Sequence, residues 1–354
     1  MPDVLADAPL APRTTLRLGG PARRLVEAAS EAQLVELVRA ADAGGEPLLV
    51  LAGGSNVVIA DAGFPGTVVQ VATRGIDREE RPGGRVRLTV AAGEPWDEVV
   101  AGAVAAGLAG LEALSGIPGS TGATPIQNVG AYGQEVAETI VGVRALERGS
   151  GAVVDLAPGA CGFGYRSSVF KRTDSHVVLA VTFELAAAPR SAPLRYGELA
   201  RTLGAAEGEG APLADVRAAV LELRRGKGMV LDPEDHDTWS AGSFFTNPVL
   251  DDTAFQSLEE RAATTGLGTP PRFPEPGGRV KTSAAWLMEA AGFHRGEARG
   301  PVALSSRHAL ALTNRGGATT EQLLAFAREI AEAVEARLGV ALVPEPVLVG
   351  VPWR

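Results

Sequence analysis

Four side chains in this sequence stand where their type and neighbours suit chemistry. Arg166 lies in FGYRSSVFK beside Ser167, Ser168 and Lys171. A guanidinium in such a cluster suits a bidentate clamp on a carboxylate, and an ordinary surface cation is the competing reading. Ser243, in SAGSFFTNP, sits between Gly242 and the apolar pair Phe244-Phe245, with Asn247 before Pro248. It reads as a proton donor in a dry pocket or as a turn residue that caps a strand, and with no adjacent histidine evident, proton transfer is favoured over a nucleophilic triad. Glu345 is locked between two prolines in VPEPV. That suits either a carboxylate placed in advance or a plain surface turn. Lys227, in RRGKGM, stands between glycines, where an ammonium suits a diphosphate or simply ends a helix in solvent.

Two glycine segments suit an anionic cofactor. AGGSN (52–56) follows an apolar run, and Gly53 and Gly54 would let backbone amides approach a pyrophosphate, with Ser55 and Asn56 as side-chain donors; a tight strand-ending turn is the plainer alternative. SGIPGSTGATPIQNVGAYG (115–133) is too irregular for helix or strand and too apolar for a solvated linker. A buried loop of this kind needs partners for its backbone, which a ligand rich in acceptors would supply; a self-packed loop is the alternative. All three tyrosines have unusual settings: Tyr132 in GAYGQE, Tyr165 beside Arg166, and Tyr196 in LRYGEL.

The elements that position these residues are legible in outline. Ser30 and Gln33 open a helix with a stripe of Leu34, Leu37, Val38 and Ala41, and Gly44-Gly45 stops it. Residues 48–52 read as a buried strand, and the first 75 residues as a βαβ-like unit. Strands are expected at 85–91 and 177–185, with a helix after Pro95. Helices follow near 213–225 and 282–291, and a last one spans 320–338 from Thr319 and Gln322 to Gly339. No internal repeat is present.

Composition narrows the function. The chain has 354 residues and a net charge of -9, the wrong sign for a protein that neutralises many phosphates, so nucleic acid is not an expected partner. One cysteine and four scattered histidines leave no metal site and no disulfide framework. No signal peptide or membrane-spanning run is evident, and a cytoplasmic location is expected. GxGxxG, GxxxxGK[ST], GxSxG and HExxH are all missing.

Taken together, TTLRLGGPA (14–22), LAGGSN (51–56), SGIPGSTGATPIQNVGAYGQE (115–135), FGYRSSVFK (163–171), SAGSFFTNPV (240–249), KTSAAWLMEAAGF (281–293), HALALTNRGGAT (308–319) and VPEPVLVG (343–350) resemble the UDP-N-acetylenolpyruvoylglucosamine reductase (MurB) family, in the family's order and over nearly the whole length. RYGEL (195–199) resembles the tyrosine loop of its type I branch. The resemblance implies an α+β chain with the two-domain FAD-binding fold of the vanillyl-alcohol-oxidase/MurB type, without a Rossmann motif, and a third α+β substrate-binding domain. The expected division is 1–75 joined by 340–354, then 76–212, then 213–339.

By the same resemblance, Gly53, Gly54, Ser55, Asn56, Gly116, Ile117, Pro118, Gly119, Ser120 and Gly122 hold the FAD pyrophosphate, with Asn128, Gly130, Ala131, Tyr132 and Gly133 beside it. NADPH reduces the flavin, and the enolpyruvyl ether of UDP-N-acetylglucosamine is reduced to UDP-N-acetylmuramate for peptidoglycan. Ser243 is implied as proton donor, with Arg166 and Glu345 at the carboxylate end. Tyr165, Tyr196, Lys227 and Asn247 are implied as substrate contacts, and a polar UDP contact of some relatives is replaced near Ala290 or Ala291. Another FAD oxidoreductase of this fold, or a non-catalytic sugar-nucleotide-binding flavoprotein, is the alternative. The sequence leaves the oligomeric state open, and a monomer is compatible with it.

Overall fold

The computed structural model describes residues 3–206 and 208–354. They form two compact units: one from the chain up to Ala8 with Ala22–Gly54 and Pro65–Val230, the other from Pro9–Pro21, Ser55–Phe64 and Leu231–Arg354.

The first unit holds two large sheets and a two-stranded pair, Gly130–Ala131 with Gln134–Glu135. A four-stranded sheet runs in the order Val4–Pro9, Pro21–Ala28, Phe64–Val71, Leu48–Leu51. The helix Glu31–Gly44 leaves the second of these strands where the Ser30 hydroxyl accepts from the Gln33 amide, and it stops at Gly45, whose φ of +62° only glycine adopts at low cost. It buries Leu34, Val35, Val38 and Ala41, while Leu37 is only partly covered. Leu48–Leu51 is the edge strand, so only Leu51 is fully buried; the expectation of a buried strand holds for that residue alone.

The larger sheet runs Ala152–Leu156, Ile140–Glu147, His176–Ala187, Arg85–Ala91, Ile76–Arg81, with Leu108–Ala109 pairing beside His176–Ala187. Arg85–Ala91 alternates Val86, Leu88 and Val90 inward, as a strand with one covered face must. The edge strand IDREER is nearly all charged, which deters pairing with a second sheet. Trp96, first residue of the helix Trp96–Ala105, packs against Phe183 in this core, ring centroids 5.7 Å apart. The helix Leu213–Gly226 also belongs to this unit: Val216, Ala219 and Val220 pack on Leu194 and Leu199.

The second unit joins a parallel pair, Val57–Ile59 with Val347–Val349, to two small antiparallel sheets and three helices. Its core organiser is the helix Thr320–Leu338, which opens with a full capping box between Thr319 and Gln322 and buries Leu323, Leu324, Phe326, Ile330 and Val334. The helix Asp252–Thr264 was not expected from the sequence. Its signals are present nonetheless: the Asp251 carboxylate caps the Ala254 amide, and Phe255, Leu258 and Ala262 fall on one buried face.

Candidate active site

In the first unit the two glycine segments meet. A Cβ on Gly53 would lie 2.6 Å from the Gly119 Cα, so the two backbones touch with no room for a side chain. Gly54, Gly116 and Gly119 have φ of +58°, +72° and +110°. The loop is largely self-satisfied, which corrects the expectation that a ligand must supply its backbone partners. The Trp96 amide donates to Gly119 O (3.0 Å), the Thr121 amide to Glu94 O (2.8 Å) and the Gly122 amide to Ala92 O (2.8 Å). A Cβ on Gly122 would meet that of Ala92 at 2.5 Å. Ile117 is half-buried and Pro118 exposed.

Three buried donors of this unit have no partner among the described residues: Arg87 Nε on the strand Arg85–Ala91, and two at the loop. The hydroxyl of Ser120, a residue only 5% exposed, has no partner, and neither has Nε of the buried Arg224, which stands against Gly116. A close glycine cradle with a buried hydroxyl left over is the donor set that a pyrophosphate-bearing cofactor such as FAD needs. These residues fit the group.

Beyond the cradle, Asn128 adopts φ of +45° and spends its side chain on the loop: its amide donates to Glu135 (2.7 Å) and to Gly164 O (3.2 Å), and its carbonyl accepts from the Ala137 amide (3.1 Å). It shapes the turn that presents Gly130 and Ala131. The Arg166 guanidinium donates from Nη2 to Gly130 O at 2.8 Å and lies 5.4 Å from the Tyr165 ring centroid. Arg166 itself has φ of +49°, at the tip of the tight Gly164–Ser167 turn. An arginine held in the left-handed region is strained, and the surrounding contacts must over-determine it. Two members of the polar cluster read from the sequence bond to backbone carbonyls of the surrounding loops. Ser168 donates to Ile126 O (2.6 Å) and Lys171 to Arg166 O (2.8 Å), so both brace the loop.

Tyr132, Tyr196 and Lys227 do come together. The tyrosine rings meet edge to face at 5.5 Å, and the Lys227 ammonium lies 5.8 Å from the Tyr132 centroid. Lys227 also donates to the Glu198 carboxylate at 2.6 Å. Burial lowers the Lys227 pKa, but the bond to Glu198 and the nearby Tyr132 outweigh it and leave the pKa raised. Burial likewise raises Tyr132, against the pull of Arg224 and Lys227. Gly133 abuts the same place: a Cβ there would lie 3.1 Å from that of Arg195.

In the second unit, Ser243 and Glu345 are neighbours through their backbones. The Glu345 amide donates to Phe244 O (2.8 Å), Phe245 bridges to Pro344, and the Thr246 amide donates to Val343 O (3.1 Å). Pro344 and Pro346 are buried, so VPEPV is a packed bend that leads into the strand Val347–Val349 rather than a surface turn. Gly242 turns the chain at φ of +74° and Phe244 and Phe245 are each 1% exposed, which leaves half-buried Ser243 between an anchor and a turn. The Ser243 hydroxyl has no hydrogen-bond partner among the described residues.

Ser55 and Asn56 belong to this unit too. The Asn56 carbonyl accepts from the Val347 amide (2.9 Å) and its side-chain amide approaches Glu345 O (3.5 Å), so Asn56 serves the Glu345 segment. Asn247 lends its side-chain oxygen to the Ala284 amide (2.9 Å), where it helps start the helix Ala284–Ala291. The reading of the sequence did not single out Arg224 or Glu198; the adjoining arginines of RRGKGM and the acid in RYGEL were the available signals.

Comparison with known proteins finds two family models and close relatives. The FAD binding domain family matches residues 22–157, and the family described as UDP-N-acetylenolpyruvoylglucosamine reductase, C-terminal domain, matches 232–349. The chain is 59% identical over 347 residues to the UDP-N-acetylenolpyruvoylglucosamine reductase of Salinispora arenicola, covering 97% of this chain and 95% of that one. It is 58% identical over 352 residues to the protein of the same name from Streptomyces coelicolor, covering 98% and 90%. A crystal structure of the Thermus caldophilus protein, UDP-N-acetylenolpyruvylglucosamine reductase (MurB), shares the fold at a TM-score of 0.64, with 24% identity and 99% of both chains covered.

Proposed function

The chain belongs to the UDP-N-acetylenolpyruvoylglucosamine reductase family, and from that membership we propose how it works. It is an FAD- and NADPH-dependent oxidoreductase that reduces the enolpyruvyl ether of UDP-N-acetylglucosamine to UDP-N-acetylmuramate in peptidoglycan precursor synthesis. The observation that carries this reading is the identity to reductases of that name across nearly the whole chain.

When bound, FAD reduced by NADPH would supply the hydride. The protein's task is to manage the charge and the proton. Hydride addition at the vinyl carbon throws negative charge toward the substrate carboxylate, and we assign Arg166 to stabilise it, since a fixed guanidinium costs no reorganisation as charge develops. Glu345 is assigned to the carboxylate end and Ser243 to deliver a proton to the remaining carbon. A serine hydroxyl is a weak acid, but the carbanionic centre it meets is strongly basic, and contact replaces acidity as the limiting requirement. Lys227, Tyr196 and the amide of Asn247 are assigned to the UDP portion, with Tyr132 and Tyr165 lining the site. Gly53, Gly54, Ser55, Asn56, Gly116–Ser120, Gly122 and Asn128–Gly133 are assigned to the cofactor, Asn128 by shaping the loop.

We divide the chain by function into 1–75 with 340–354, 76–212 and 213–339, the first two for FAD and the third for substrate. We place the reaction in the cytoplasm, where NADPH is the reductant at hand and a lone buried thiol such as Cys161 is stable. Among the described residues no helix is long and apolar enough to cross a membrane. The test is direct: the purified protein carries oxidised flavin, and NADPH oxidation accelerates when the enolpyruvyl sugar nucleotide is added. NADPH consumption indifferent to that nucleotide would favour another flavoenzyme of the fold or a binding protein.

A further inference from the structure

We propose that Thr15 is a positioning residue for proton delivery, acting through the backbone that carries Ser243. The proposal rests on the assignment of Ser243 as the donor. Thr15 lies in TTLRLGGPA, a segment to which the reaction gives no role, and it is 5% exposed. Its hydroxyl donates to Ser240 O at 2.7 Å, while Ser55 O lies at 3.5 Å, too far to compete for the one proton.

The anchor it makes is close to the reacting group. Ser240 in turn accepts the Gly242 amide on its own hydroxyl (3.2 Å), and Gly242 reverses the chain into Ser243. On the other side the Phe244 amide is held by Leu310 O at 2.8 Å. Because the Ser243 hydroxyl has no partner among the described residues, the backbone anchors on either side of it set where it points, the Ser240–Thr313 bridge and the Glu345 amide on Phe244 O among them.

Thr15 is itself rigidly held. The Thr14 hydroxyl donates to Leu18 O (3.1 Å) and accepts from the Leu18 amide (3.3 Å), Leu16 and Leu18 are buried, and Asn314 donates to Leu16 O (3.0 Å). The one remaining hydroxyl of this turn is therefore aimed at the donor segment, and proton transfer from so weak an acid depends steeply on placement.

The experiment compares Thr15→Val, which keeps the shape and removes the donor, with Thr15→Ser, which keeps the donor. Thr15→Val lowers kcat for the enolpyruvyl sugar nucleotide about 10- to 100-fold, leaves its KM and the anaerobic reduction of flavin by NADPH unchanged, and raises the solvent deuterium isotope effect on turnover. Thr15→Ser restores kcat. In a Ser243→Ala background Thr15→Val has no further effect, because there is no donor left to misplace.

Wild-type kcat in Thr15→Val, an equal loss in both half-reactions, or the same loss in the Ser243→Ala background each overturns the proposal. If the valine variant does not fold, Thr15→Ala against Thr15→Ser makes the same comparison. A wild-type protein that does not turn over the nucleotide at all overturns the functional reading instead, and is told apart by failing before any substitution is made.

Discussion

The Glu345 amide donates to the carbonyl oxygen of Phe244 at 2.8 Å, across about a hundred residues of sequence. With the Phe245–Pro344 bridge beside it, this bond makes the proline-flanked carboxylate and the segment of Ser243 one backbone ladder. A backbone pairing of this kind uses amides and carbonyls alone and needs no side chain.

Ser243→Ala separates the two half-reactions. We expect reduction of the flavin by NADPH at the wild-type rate and a loss of about 10²- to 10⁴-fold in turnover of the sugar nucleotide, the usual contribution of a general acid. Rapid-mixing absorbance of the flavin reads both steps, and an equal slowing of both would remove Ser243 from the proton path.

Arg166→Lys keeps a charge but loses the planar fork that reaches Gly130 O. The expected loss in kcat/KM is about 10²-fold. Melting temperature should hold or rise slightly in Arg166→Gly, because glycine accepts the φ of +49° that strains arginine. A large fall in melting temperature for the glycine variant would show the arginine to be mainly structural.

Gly53→Ala places a methyl where the Gly119 backbone already is, 2.6 Å from its Cα. Backbone on both sides cannot give way cheaply. The variant should purify with little or no flavin and with a melting temperature below wild type; full flavin occupancy would contradict a cradle at this contact.

Lys227→Met removes the ammonium while keeping the aliphatic stem near Tyr132. A residue that binds the UDP portion equally in ground and transition states affects KM alone, so KM for the nucleotide should rise about tenfold with kcat retained. Steady-state kinetics over a range of nucleotide concentrations tests this, and an unchanged KM would exclude the contact.

Acid stability should depend on Asp237. Burial pushes its carboxyl up, but hydrogen bonds from the Ser306 amide, Arg307 and the Ser306 hydroxyl, with the Arg315 charge, bring it below the ordinary carboxylate value. A carboxyl lowered in the folded state contributes stability above its unfolded pKa, and that contribution disappears as pH falls through the folded pKa. Asp237→Asn should therefore cost about 1–3 kcal/mol at neutral pH and progressively less in acid, as read by thermal melts across the pH range. A gap between the two proteins that stays constant with pH would contradict it.

Much of the local structure was readable in advance because its causes are local. The Ser30 and Thr319 caps, the glycine stops at Gly45 and Gly339, and the apolar stripes of the helices they bound depend on residues within a turn or two of one another. The missed helix Asp252–Thr264 had the same kind of signal in Asp251, Phe255 and Leu258. The edge position of Leu48–Leu51 had none, since strand order is set by pairing partners elsewhere in the chain.

By itself the sequence determined which side-chain types are on offer and beside what: a guanidinium among serines and a lysine, a hydroxyl beside two phenylalanines, a carboxylate between prolines, and two segments rich in glycine. Only the tertiary structure decided where they stand and which backbone groups they meet. It turned Asn128, Ser168 and Lys171 inward to brace loops, set Phe244 against Glu345 and Gly53 against Gly119, and aimed Thr15 at Ser240 from 225 residues away. The reason is physical: a hydrogen bond or a close backbone contact between distant residues exists only after the core has brought its partners together, and no spacing along the chain encodes it.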